Sequence, residues 1–191
     1  MKILMIISNG FEETEAVAPY DILKRAGVNV DIYSITGDYE LTSTHNMIIK
    51  ANQLVPEVVD KDYAEKLANI YDGIVLPGGQ PNAGNLQKDS RVISIVRAFN
   101  NLGKVVSAIC AAPCVLQRAG IVSDKRITSY PGCVDESDCR EFTGENVVRD
   151  GNIVTGKAAG CAIDFGLEIL KALGMNKESE QIKEQIFYNF V

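Results

Sequence analysis

VVSAICAAPCVLQRAG, residues 105–120, is the stretch on which the fold turns. A short apolar run stops at Cys110, and a small-residue helical stretch begins at once. A buried strand that turns directly into a helix is the unit from which parallel sheets are built. The pattern predicts a strand over 104–109 and a helix over 111–119. Pro113 suits the helix's first turn, where no N–H donor is required. The corner itself carries a thiol, and the chain's single histidine, His45, lies far from it in sequence.

Outward from that corner the same alternation repeats. Strands are predicted over 2–8, 29–35, 73–76 and 126–129, and helices over 12–26, 58–69 and 89–102, with Asp89 or Ser90 capping the last. Gly27 stops the first helix. Residues 41–51 read as an exposed antiparallel excursion. Val147 and Val148 face 153–155 across Arg149-Asp150-Gly151-Asn152, a hairpin with an Asp-Gly turn. Helices over 160–173 and 177–189, separated by Gly174, close the chain. Repeated β–α alternation predicts an α/β fold, with a mostly parallel sheet covered by helices on both faces and a small β-hairpin. With 191 residues, no internal repeat and no linker, one domain over 1–191 is the economical expectation.

Composition narrows the function classes. Apolar residues make up 46% and charged residues 23% of the chain, as in ordinary soluble proteins. The net charge is −6 and no block of Lys or Arg stands out, so the footprint of a nucleic-acid binder is missing. The opening MKILMIIS is too short to cross a membrane and reads as a buried strand. Cysteines at 110, 114, 133, 139 and 161 are odd in number and irregular in spacing, which predicts reduced thiols in a cytoplasm and no disulfide framework. Without a CxxC or a histidine nearby they make a poor zinc site, and no metal is expected.

In a sheet of this kind ligands bind beyond the carboxyl ends of the strands. That rule selects the loops 9–15, 77–85, 110–113 and 130–133. At the third, a helix N-terminus would favour thiolate over thiol and could hold an oxyanion on its free N–H groups. Pro77-Gly78-Gly79 would add further backbone donors at close range. Cys110 reads either as a core thiol or as a nucleophile. Cys114, one helical turn on, reads as core or else as a resolving thiol, and Cys133, Cys139 and Cys161 as structural thiols. Glutamates 12, 13 and 15 sit near a helix start, where carboxylates ordinarily face water. Glu12 and Glu15 share a face, and a buried, protonated carboxyl there could donate a hydrogen bond to a thiolate. The acidic stretch 135–145 reads as a solvated loop.

The segments NGFEETEAVAPYDILKRAG, DGIVLPGGQPNAGNL, VVSAICAAPCVLQRAGI and GNIVTGKAAGCAIDFGLEIL, in this order over nearly the whole chain, resemble the DJ-1/ThiJ/PfpI superfamily, specifically its DJ-1-like branch. The resemblance implies a flavodoxin-like three-layer sandwich, a homodimer, and a reactive cysteine on a strained nucleophile elbow. It assigns that cysteine to Cys110 and the protonated glutamate touching it to Glu15 rather than Glu12. It further implies backbone donors at Gly79 and Ala111, beside Gly78, and an approach by the loop Ala158, Ala159 and Gly160. Arg25 and His45 fall where the family places basic residues near the dimer interface and site. One departure stands out: Tyr130, before Pro131, occupies the position of the family's acid/base histidine. Tyrosine, with an ordinary pKa near 10, is a weaker base at neutral pH. No histidine follows Cys110 either, which disfavours a cysteine protease.

Two functions remain. One is a glyoxalase III or deglycase activity without cofactor, on a small reactive aldehyde or a glycated protein. The other is a redox-responsive stress protein or chaperone governed by oxidation of Cys110.

Overall fold

A computed structural model describes residues 1–188. The strands and helices run in chain order as β1 (Lys2–Ile7), α1 (Glu13–Arg25), β2 (Asn29–Ser34), β3 (Glu40–Thr42), β4 (Ile48–Lys50), β5 (Gln53–Leu54), α2 (Lys61–Ile70) and β6 (Gly73–Leu76). There follow α3 (Asn82–Lys88), α4 (Ser90–Asn101), β7 (Val105–Ile109), α5 (Pro113–Ala119), β8 (Arg126–Ile127), β9 (Glu141–Phe142), β10 (Val147–Asp150), β11 (Ile153–Gly156), α6 (Ala162–Ala172) and α7 (Asn176–Gln185). Asn189, the expected end of the last helix, lies outside the described residues.

Seven strands form one sheet in the order β10-β11-β7-β6-β1-β2-β5. All neighbouring pairs are parallel except β10 with β11, the predicted hairpin. Side chains of β1 alternate between two cores, as a strand covered on both faces requires. Leu4 and Ile6 enter the layer shared with α2, α3, α4 and α5. Ile3, Met5 and Ile7 enter the layer shared with α1, α6 and α7. This is the expected α/β sandwich.

Several boundaries move for identifiable reasons. Glu12 is not in the first helix but caps it, its side chain accepting the Glu15 N–H, and Asp89 caps α4 in the same way. The excursion at 41–51 closes as the two-stranded β3–β4 hairpin. The strand expected at 126–129 is only two residues long and lies outside the main sheet, paired with β9. Within 77–85, read as loop, the chain folds into α3. The acidic loop 135–145 contains a short 3-10 turn at Glu136–Asp138 and the β9 strand.

Candidate functional site

β7 delivers Cys110 to the carboxyl edge of the sheet, where its N–H donates to Gly156 O of β11 at 2.8 Å. The chain then turns so sharply that Cys110 adopts φ 62°. A side chain in that left-handed region costs about 1–2 kcal/mol, and backbone hydrogen bonds from Cys110 N–H to Gly156 O and from Tyr130 N–H to Cys110 O hold it there. This is the strained elbow that the resemblance implied. The helix that follows begins only at Pro113. Cys110 therefore precedes α5 by a full turn of chain, and Cys114 is not its neighbour on a helical face. Cys114 is buried, with its thiol directed at Ala83 O at 3.9 Å, a core position.

Glu15 comes to the thiol from the first turn of α1. It is 1% exposed. The Gly78 N–H donates to its Oε2 at 3.0 Å, the Ala159 N–H donates to it as well, and a side-chain hydrogen bond joins it to Cys110. Glu12, the alternative, is occupied as the helix cap: its Oε2 accepts the Glu15 N–H at 2.7 Å.

The Gly78-Gly79 pair is fixed by space. A Cβ at Gly78 would stand 2.5 Å from Glu15 Oε2 and 2.8 Å from Cys110 Cβ. Gly79 has φ +87°, and a Cβ there would run into Glu12 N and Gly10 O. No side chain larger than hydrogen fits either place. Asn82, buried at the start of α3, locks this loop. Its Nδ2 donates to Pro77 O at 2.8 Å and Gly78 O at 3.0 Å, while its Oδ1 accepts the Ser8 N–H at 2.7 Å. Asn82 escaped the sequence reading; an Asn following Gln80-Pro81 at a helix start was the available signal. The Gly79 N–H has no partner among the described residues, and the Ala111 N–H is directed at the Cys110 sulfur.

The electrostatics correct one expectation. A helix N-terminus alone would lower the thiol's pKa, but Cys110 is pushed up to about 12, first by burial and then by the charge of Glu15. The Ala111 N–H works in the other direction and does not outweigh them. Burial raises Glu15 from the ordinary 4.5 to about 7. Two acids in contact away from water resist carrying two negative charges. Between about 7 and about 12 the pair holds a single proton. Reactivity then depends on where that proton sits.

The remaining expected neighbours divide. The Tyr130 N–H donates to Cys110 O at 2.8 Å, so its backbone is bound to the elbow. Its side chain is 52% exposed, and its hydroxyl has no hydrogen bond among the described residues. Pro131 lies in the same exposed turn. Ala159 reaches Glu15, Ala158 positions Cys161 through its carbonyl, and Gly160 faces outward. His45 is exposed and pairs with Glu13 at 2.7 Å, one residue from the helix cap but not on the thiol. Arg25 is not brought to the site. It sits ten residues beyond Glu15 on the same helix, about 15 Å away at 1.5 Å per residue, where it binds Asp21 at 2.7 Å. There it borders a groove of about 610 Å³ with Glu178 and Gln181. Ligand atoms of Glu12, Glu13 and His45 lie within 4.8 Å of one another, but the cap and the His45 pair already engage them. Cys133, read as structural, lies in the turn bound to the elbow and within electrostatic range of Cys110 and Glu15.

Comparison with known proteins agrees with this fold. The sequence profile of the DJ-1/PfpI family matches residues 1–172. Protein dj-1beta of Drosophila melanogaster is 30% identical over 181 residues, which covers 94% of this chain and 92% of that protein. The Parkinson disease protein 7 homolog of Danio rerio is 28% identical over 94% of this chain and 93% of its own length. Among solved structures, oxidized DJ-1 of Toxoplasma gondii superposes with a TM-score of 0.85 at 27% identity, covering 99% of both chains.

Proposed function

This chain belongs to the DJ-1/PfpI family, and from that premise we propose that it is a cytoplasmic, cofactor-independent enzyme that uses Cys110 on small reactive carbonyls, in the manner of a glyoxalase III or protein deglycase. The observation that carries the reading is the buried Glu15 carboxyl hydrogen-bonded to a thiol held at φ 62°. A carboxyl with a pKa near 7 is matched to moving protons at neutral pH. It supplies the acid–base function that a histidine would otherwise provide.

The chemistry follows from the contacts. As Cys110 sulfur bonds to the aldehyde carbon of methylglyoxal, its proton passes to Glu15, and the N–H groups of Gly79 and Ala111 hold the oxyanion of the hemithioacetal. Glu15 returns that proton to the hemithioacetal oxygen, then takes the proton from the first carbon and delivers it to the second, while the hydroxyl proton passes from the first oxygen to the second. Water hydrolyses the resulting thioester to lactate and frees the thiol. Tyr130, with an exposed and unheld hydroxyl, takes no assigned step. The test is lactate formation from methylglyoxal by the purified protein. Turnover that disappears in Cys110→Ala supports the reading; turnover that survives in Cys110→Ala refutes it.

A second reading has its own support. The backbone N–H groups around the thiol suit a sulfinate as well as an oxyanion, and one structural relative is described as oxidized. A redox-responsive stress protein or chaperone would use the same cysteine without turnover. In either case we propose a homodimer. Val17, Tyr20 and Ile49 line an apolar depression of about 190 Å³, beside the exposed Met47 and Ile48, and a second copy would cover this surface.

A further inference from the structure

Five cysteines are free of disulfides, and their thiols are not equally engaged. Cys114 is directed at Ala83 O. Cys139 donates to Glu136 O at 3.2 Å, and Cys161 to Asn146 O and Ala158 O, both at 3.0 Å. The Cys133 thiol makes no hydrogen bond among the described residues. It is half-buried and packs against the same apolar cluster as Cys110.

Two backbone hydrogen bonds tie it to the elbow. Tyr130 N–H donates to Cys110 O at 2.8 Å, and Cys133 N–H donates to Tyr130 O at 3.2 Å. The ends of such a turn lie within about 7 Å of one another. Between them stand Pro131 and Gly132, both exposed, with Gly132 at φ +78°. The turn presents one unengaged thiol beside the reactive one. The charge of Cys133 is felt at Cys110 and at the buried Cys114.

We propose that Cys133 is the resolving thiol of Cys110, closing a reversible disulfide after a hydroperoxide has oxidised the elbow. The proposal rests on the reading of Cys110 as the reactive thiol. In the first step Cys110 sulfur attacks the outer peroxide oxygen and its proton goes to Glu15. The O–O bond breaks, the leaving alkoxide or hydroxide takes up a proton, and Cys110 becomes a sulfenic acid. In the second step Cys133 sulfur attacks the Cys110 sulfur, the S–O bond breaks, and water leaves with the Cys133 proton. The two electrons given to the peroxide come from the two thiols, and a dithiol reductant restores them. Formation of the disulfide competes with oxidation to the sulfinate, which thiols do not reverse.

The test is intact-mass analysis after two equivalents of hydrogen peroxide per protein, acid-quenched and without reductant. The wild-type protein is expected to lose two hydrogens and to recover its mass with dithiothreitol. Trypsin then yields peptide 105–118 joined to peptide 127–140, and fragment ions place the bond at Cys110 and Cys133 rather than Cys114 or Cys139. In Cys133→Ser the main product becomes Cys110 carrying two oxygens. A bond at Cys114 or Cys139, or equal sulfinate in wild-type and Cys133→Ser, overturns the proposal and leaves the reactive Cys110 standing. Cys110 unmodified in both proteins overturns the proposal together with the reading beneath it. The wild-type peptide map decides the matter even if the variant folds poorly.

Discussion

Replacing Glu15 with Gln removes one titration and so isolates its effect on stability. Burial carries the Glu15 carboxyl from 4.5 to about 7 in the folded protein. The folded state thus holds the proton more tightly than the unfolded chain does. Stability from this group is complete below 4.5 and is lost as pH rises through 7. At about 1.36 kcal/mol per pH unit, that interval amounts to roughly 3 kcal/mol. For a protein of this length, 1 kcal/mol moves Tm by about 2–4 °C. Melting curves of wild-type and Glu15→Gln, taken from pH 4.5 to 8.5, should therefore diverge by about 6–12 °C, the variant gaining relative to wild-type as pH rises. Other carboxylates titrate in both proteins and cancel in the difference. A flat difference across that range would mean that Glu15 is already ionised at pH 5 in the fold. The account of the thiol's partner would then fail.

Gly78→Ala should destabilise by about 1–3 kcal/mol in urea unfolding, because its Cβ meets Glu15 and Cys110. Gly84→Ala, inside α3 and facing only the movable Gln80 side chain, should be neutral or stabilise by up to about 1 kcal/mol. Tyr130→Phe should leave kcat for methylglyoxal within about threefold of wild-type, since loss of a general base costs about 10²–10⁴. A hundredfold loss would make the tyrosine hydroxyl a participant.

The β7–α5 corner was legible because a buried strand, a thiol and Pro113 follow one another with only Ala111 and Ala112 between the last two. The central strands were legible for the same reason: they are buried on both faces and read as continuous apolar runs. The α3 helix was not, since Pro77-Gly78-Gly79 and Pro81 read as breakers, and a buried Asn82 side chain is what organises the turn into it. The Arg126 strand was expected within the β–α alternation, but it is two residues long and pairs with β9 outside the main sheet. The direction of the Cys110 shift was also misjudged. Helix position is readable from sequence, whereas burial and the contact with a carboxylate from ninety-five residues upstream depend on the fold. Cys133 had no signal beyond its place in a loop; its proximity to the elbow comes from the Tyr130 backbone.

The shared proton is tested most directly by the rate of Cys110 alkylation with iodoacetamide as a function of pH, in wild-type and Glu15→Gln. The account predicts a step near pH 7 in wild-type, where the pair loses its first proton, and its absence in the variant. A single step near the ordinary cysteine pKa of about 8.5, the same in both proteins, would contradict it.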